Sequence, residues 1–188
     1  MILAYFVVLS VAVSYFSGGR LRFIPEHDMR GFFLPIVAFA IEAVAPLLAA
    51  WLPFPPASWH WFSVTVEYAL LLFFCFLNRS QKPFLPIFTG VVLNLAVIAA
   101  NGFRMPVTPI VYEMPSLAHY VARIQSGELF EYVLTGYDAP LWFLGDTIAL
   151  PFLGIGLASA GDFLLAGGVG WLIFKLMRPP IEKKNVEL

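Results

Sequence analysis

Apolar runs at residues 1–17, 32–52, 59–77, 84–101 and 157–174 leave this chain few folds to choose from. A helix needs about 17–25 mainly apolar residues to cross a hydrocarbon core about 30 Å thick. Composition agrees that lipid is the solvent. Of 188 residues, 60% are hydrophobic and 12% charged, whereas a soluble domain is about half apolar and a quarter charged. We expect an all-α membrane protein, one transmembrane domain over 1–188 with five transmembrane helices. The first run has no basic residues before it, unlike a signal peptide, and reads as a retained helix.

Charge sets the orientation. The loop after the first run carries Arg20, Arg22 and Arg30, the next even-side loop Arg79 and Lys82, and the tail Lys175, Arg178, Lys183 and Lys184. The opposite side has only Arg104 and Arg123. The positive-inside rule then puts the N-terminus outside and the C-terminus inside. Trp51, Trp59 and Trp61 flank the Pro53–Ser58 turn, as expected at headgroup level. A net charge of −1 offers no footing for nucleic acid. The single cysteine, Cys75, excludes an internal disulfide and reads as packing. No cluster suggests a metal or cofactor.

The excursion over 102–142 is then extracytoplasmic. It holds a candidate amphipathic helix from Ser116, a plausible N-cap, to Gln125, closed by Gly127. Leu117, Tyr120, Val121 and Ile124 form its apolar face. The stretch 141–156 is broken by Gly145, Asp146, Pro151, Gly154 and Gly156. It predicts a broken, interfacial or re-entrant element before the last helix.

Polar groups recur at one depth. Glu42, Glu67 and Asn94 each lie twelve residues from a cytoplasmic-side charge, and Asp162 lies thirteen from Lys175. At ~1.5 Å per residue that is roughly 18–20 Å. An acid at mid-bilayer costs about 2.5–3.5 kcal/mol on insertion scales. These groups are therefore expected to converge inside the bundle. Toward the outer edge, Asn94 with Asn101 on the fourth run, and His60, Ser63 and Glu67 on the third, each share a helix face. With Arg104 and Asp146 they would line a pocket opening outward.

Simpler roles stand beside these. Ser159 or Asp162 would cap a helix N-terminus. Glu42 and Glu67 would hydrogen-bond between helices, and Asn94 and Asn101 would join helices. The Gly167-Gly168-Val169-Gly170 run fits close packing. His60 reads as interfacial, His119 as solvated, and Arg104 as an anchor for a turn.

The segments Asn101-Gly102-Phe103-Arg104-Met105-Pro106-Val107, Leu144-Gly145-Asp146 and Ser159-Ala160-Gly161-Asp162 resemble an uncharacterised bacterial family of small polytopic membrane proteins. That likeness implies a multi-pass protein of the bacterial cytoplasmic membrane and brings no activity. A local likeness is to lipoprotein signal peptidases, which are intramembrane aspartyl peptidases. Their last span begins Asn-x-Ala-Asp, similar to Ser159-Ala160-Gly161-Asp162. Their preceding span ends Gly-Asn-x-x-Asp-Arg, where this chain has Asn101-Gly102-Phe103-Arg104 and no Asp between. The resemblance implies a hydrolase only if Asp146 serves as second carboxylate with Asp162.

Three functions follow as expectations. The first is a membrane protein that binds a small or lipidic ligand, or other membrane subunits, through Glu42, Glu67, Asn94, Asn101, Arg104 and Asp162. The second is an aspartyl hydrolase using Asp146 and Asp162. The third is a proton- or cation-coupled carrier using Glu42, Glu67 and Asp162. The bilayer itself is the common partner.

Overall fold

A computed structural model describes residues 2–49, 56–150 and 156–180. The side chains of 42, 45–49 and 56–58 lie outside the described residues. So do Trp51, most of the Pro53–Ser58 turn, Pro151, Gly154, Lys183 and Lys184.

The fold is mostly helical. Long helices α1 (Ile2–Phe16), α2 (Phe33–Ala49), α3 (Pro56–Leu77) and α4 (Phe84–Ala100) come first. The short α5 (Ala118–Gln125) follows, and α6 (Ala160–Leu176) is last. Among the described residues, the stretch Trp59–Leu77 is long and apolar enough to cross a membrane, and Ile2–Phe16 and Phe84–Ala100 are shorter apolar helices. Many apolar side chains on the outside of the helices stay uncovered, such as Phe16 at 87% exposure and Leu85 at 71%.

One end of the bundle is stapled by polar groups. The Asn78 amide donates to Arg30 O at 2.8 Å and accepts from Arg30 N–H at 3.1 Å. Lys175 Nζ donates to Gln81 Oε1 at 2.9 Å. Arg20 N–H donates to Met177 O at 2.7 Å, and His27 Nε2 lies 2.8 Å from Arg178 O. The ends of α1, α3 and α6 and the starts of α2 and α4 therefore gather together, and helices consecutive in the bundle reverse direction. The loops grouped on one side by their arginines and lysines do meet there. Leu34, Ala38, Leu71, Phe74, Cys75, Phe84, Ile87 and Leu172 form the main core behind them.

Toward the other end the all-α expectation needs correction. Among the described residues, four short strands appear there. β1 (Met105–Val107) pairs in parallel with β2 (Tyr132–Leu134), with Pro106 opposite Val133. β3 (Ile148–Leu150) pairs antiparallel with β4 (Gly156–Ala158). The crossover from β1 to β2 carries α5, and Leu117 just before it packs with Val121 and Ile124 of α5 on Val107, Val111 and Leu157. The apolar face read from sequence is thus the buried one. Its start is not at Ser116. Pro115–Leu117 is a 3-10 turn, and no side chain caps α5. The stretch 141–156, expected as interfacial or re-entrant, begins with the turn Trp142–Leu144 and runs into β3.

The cap is tied to the bundle at a strained turn. After α4, Gly102 (φ 69°) and Phe103 (φ 61°) both lie in the left-handed region, where a non-glycine residue costs of order 1–3 kcal/mol. α3 holds Phe103 there. His60 Nε2 lies 2.6 Å from the Phe103 carbonyl, and the Trp61 and Phe103 rings stack at 5.3 Å. Because a carbonyl only accepts, His60 Nε2 is the donor.

α6 is the central helix, packed on α4 and α1. A Cβ on Gly90 would stand 2.5 Å from Gly161 O and 2.7 Å from Leu165 N. A Cβ on Gly161 would overlap Asn94 Oδ1. Gly168 lies equally close to Ile87, whereas Gly167 faces open space. Gly161→Ala should therefore destabilise by about 1–3 kcal/mol or more through overpacking, while Gly167→Ala should be neutral or slightly stabilising. Thermal unfolding of the two purified variants checks the contrast.

Candidate functional site

Ser159 sets where α6 begins, and this moves the helix start three residues beyond the expected 157. Ser159 Oγ accepts from Asp162 N–H at 3.0 Å, and Asp162 Oδ2 accepts from Ser159 N–H at 3.0 Å. This reciprocal capping box satisfies two backbone donors that the helix cannot. The capping reading of Ser159 and Asp162 is therefore correct, and it is half of what they do.

The other half crosses to α4. Asn94 Nδ2 donates to Asp162 Oδ1 at 2.7 Å, and Ser159 Oγ donates to Asn94 Oδ1 at 2.9 Å. The carboxylate only accepts, so the amide nitrogen must face it. Three side chains close a ring between two helices at the point where Gly90 and Gly161 let the backbones touch. Ser159 is fully buried and Asn94 is 5% exposed.

Asp146 reaches the same region from the loop before β3, outside the helical runs. Its backbone lies along the edge of β1 opposite β2. Its N–H donates to Pro106 O at 2.9 Å, and its carbonyl accepts from Thr108 N–H and Oγ1 at 3.4 and 3.3 Å. Its carboxyl group is different. It is 5% exposed, and among the described residues no donor reaches it. Burial first, and the Asp162 carboxylate second, push it up to about 8. Tyr120 and Tyr132 stand nearby with ring centroids 5.6 Å apart. Burial, reinforced by neighbouring charge that includes Asp146, holds both phenols well above their usual range, so they are donors.

Among the other expected site residues, Asn101 and Arg104 bond elsewhere. Asn101 Nδ2 donates to Val97 O and Pro140 O, each at 2.8 Å, and joins α4 to the cap. Arg104 Nε donates to Phe130 O at 2.8 Å, away from the acids. Glu67 is buried on α3 and has partners. The Glu42 side chain lies outside the described residues. Sequence reasoning brought Asn94 and Asp162 together through their shared depth. It missed Tyr132 and Thr108, which reach the site only through the β1–β2 pairing and the Asp146 bridge. Those contacts join segments 27 to 39 residues apart and leave no local signal.

The arrangement is a helical protein with a two-helix polar clasp, roofed by a small α/β cap that carries a second acid. The chain belongs to DUF5317, a family of unknown function, whose pattern covers residues 26–174. No characterised protein and no solved structure matches it.

Two measurements probe the clasp. Asp162→Asn cannot satisfy both neighbours. Whichever way its amide turns, an NH2 group faces either Asn94 Nδ2 or Ser159 N–H. It should cost about 0.5–2 kcal/mol, the usual worth of a cap, seen as a lower unfolding temperature. Asp146 gives a pH signature. Its ordinary value is 3.8, and the folded value is about 8. In that interval the folded state keeps a proton that the unfolded chain has released. Stability should therefore fall as pH rises from about 4 to about 8. Unfolding scans of Asp146→Asn should lose that part of the slope.

Proposed function

We propose that this is a five-span protein of the bacterial cytoplasmic membrane, N-terminus outside and C-terminus inside, with a ligand site under its external cap. The uncovered apolar faces of the helices, the nine-to-two division of Lys and Arg, and the gathering of the basic loops at one end support the membrane reading. A membrane-impermeant maleimide tests it on intact cells. In a Cys75→Ser background, Ser116→Cys should label from outside and Ser80→Cys only after lysis. Equal labelling of both before lysis overturns the orientation.

The Asp146 carboxyl carries the ligand reading. The residue is 5% exposed, and among the described residues its carboxyl oxygens take part in no hydrogen bond, which leaves them open to a donor from outside the chain. Asp162 and the phenols of Tyr120 and Tyr132 lie within electrostatic reach of it. A small or lipidic molecule presenting a hydrogen-bond donor would satisfy the Asp146 carboxyl. A donor side chain from another membrane subunit does the same. Native mass spectrometry of the protein in mild detergent should show a bound adduct that Asp146→Asn loses. An identical spectrum for the two would remove the reading.

A second reading, aspartyl hydrolysis, is favoured by one observation. Burial pushes the Asp146 carboxyl up to about 8, while both Asp162 oxygens already accept hydrogen bonds. Unlike environments for two carboxyls are how acid and base roles are divided. Cleavage of a membrane-embedded peptide that stops in both Asp146→Asn and Asp162→Asn would put hydrolysis first.

A further inference from the structure

A second site lies on the cap, apart from the two acids. Between α5 and β2 runs an open groove of about 380 Å³, lined by Arg104, Ile124, Gln125, Phe130, Val133 and Leu134, with Gly127 at one side. Its size is within the range of small-molecule sites, about 300–1,000 Å³. Its chemistry is divided. Ile124, Phe130, Val133 and Leu134 give an apolar wall. Arg104 and Gln125 give the polar donors, and no carboxylate lines it.

Arg104 is held but not neutralised. Nε donates to the Phe130 carbonyl at 2.8 Å, and the guanidinium carbon lies 4.7 Å from the centre of the Phe130 ring. These two contacts fix the plane of the group. Among the described residues, neither Nη atom has a hydrogen-bond partner and no acid pairs with Arg104. The acid at the α5 end, Glu128, is occupied by Arg123 at 2.9 Å. A fixed guanidinium with its outer donors free is the geometry that binds phosphate through two parallel hydrogen bonds. Arg104 also follows the last residue of α4 by four positions, so on the membrane reading it stands at the outer headgroup level.

We propose that this groove binds the headgroup of an anionic membrane phospholipid, with Arg104 on the phosphodiester and the Phe130–Val133–Leu134 wall against the glycerol and first methylenes. The inference rests on the membrane reading, and the maleimide labelling above tests that part separately. Short-chain lipids below their micellar concentration test the groove itself, whether or not the chain spans a bilayer.

Binding of dihexanoyl-phosphatidylglycerol is measured by native mass spectrometry and by the shift in unfolding temperature. The wild-type protein should bind it. Arg104→Gln should weaken binding about tenfold or more, since a hydrogen bond to a charged group contributes about 1.5–3 kcal/mol. Arg104→Lys should restore part of the loss, because it keeps the charge and loses the fork. Arg104 also ties the cap, so Val133→Phe provides an independent variant. It fills the groove, leaves Arg104 in place, and should weaken binding while the protein stays folded. Unchanged affinity in folded Arg104→Gln and Val133→Phe overturns the proposal. Equal protection by inorganic phosphate alone assigns the site to a free anion and overturns the lipid. Hexanoate matching the phospholipid overturns the phosphate.

Discussion

The closeness of α4 and α6 governs the rest of the molecule. Two backbones approach at Gly90 and Gly161 because neither carries a side chain at the crossing. Only at that separation does Asn94 reach both Ser159 and Asp162. Inside an apolar bundle a half-satisfied polar network is worse than none. This network is closed, and each acceptor of Asp162 is used. The pair of helices thus gains specificity of register from polar groups, and close contact from the glycines.

The cap depends on that pair in turn. β1 leaves α4 through a turn whose strain α3 absorbs with His60 and Trp61. β2 covers one edge of β1 and Asp146 the other. Asp146 is therefore placed by backbone hydrogen bonds rather than by its own side chain. Its carboxyl group is presented to the acids and phenols by a scaffold that does not need it. That separation of placement from satisfaction makes it a candidate for chemistry, whereas Asp162 is committed to a helix start and to Asn94.

Much of the helical plan was legible in residues. Apolar length located α1, α2, α3 and α4 within a few positions, and arginine and lysine placement anticipated which ends meet. Equal counting from the charges brought Asn94 and Asp162 to one level, and they do bond. The Leu117, Val121 and Ile124 face was visible because helical period is a local property. The strands were not. Met105–Val107 and Tyr132–Leu134 are three residues each, too short for alternation to register, and their pairing is parallel across a crossover. The start of α6 was obscured because Leu157 and Ala158 are apolar enough to extend a span, and only the Ser159–Asp162 spacing marks the true beginning. Arg104 was read as a turn anchor or ligand residue near the acids. Its actual neighbour, Phe130, lies 26 positions away, and nothing in the chain advertises that meeting.

The order of the chain has a consequence for biogenesis. Ribosomes deliver α4 well before α6, and domains assemble as their parts emerge. Until Ser159 and Asp162 arrive, the amide of Asn94 has neither of its α6 partners. The nascent protein therefore carries an open polar face on α4 throughout synthesis of the cap. Arrival of the last helix closes that face and completes the floor beneath Asp146 in one event. Closure of the clasp is thus timed by the arrival of α6, and quality control that samples exposed polar groups has a defined window in which to act.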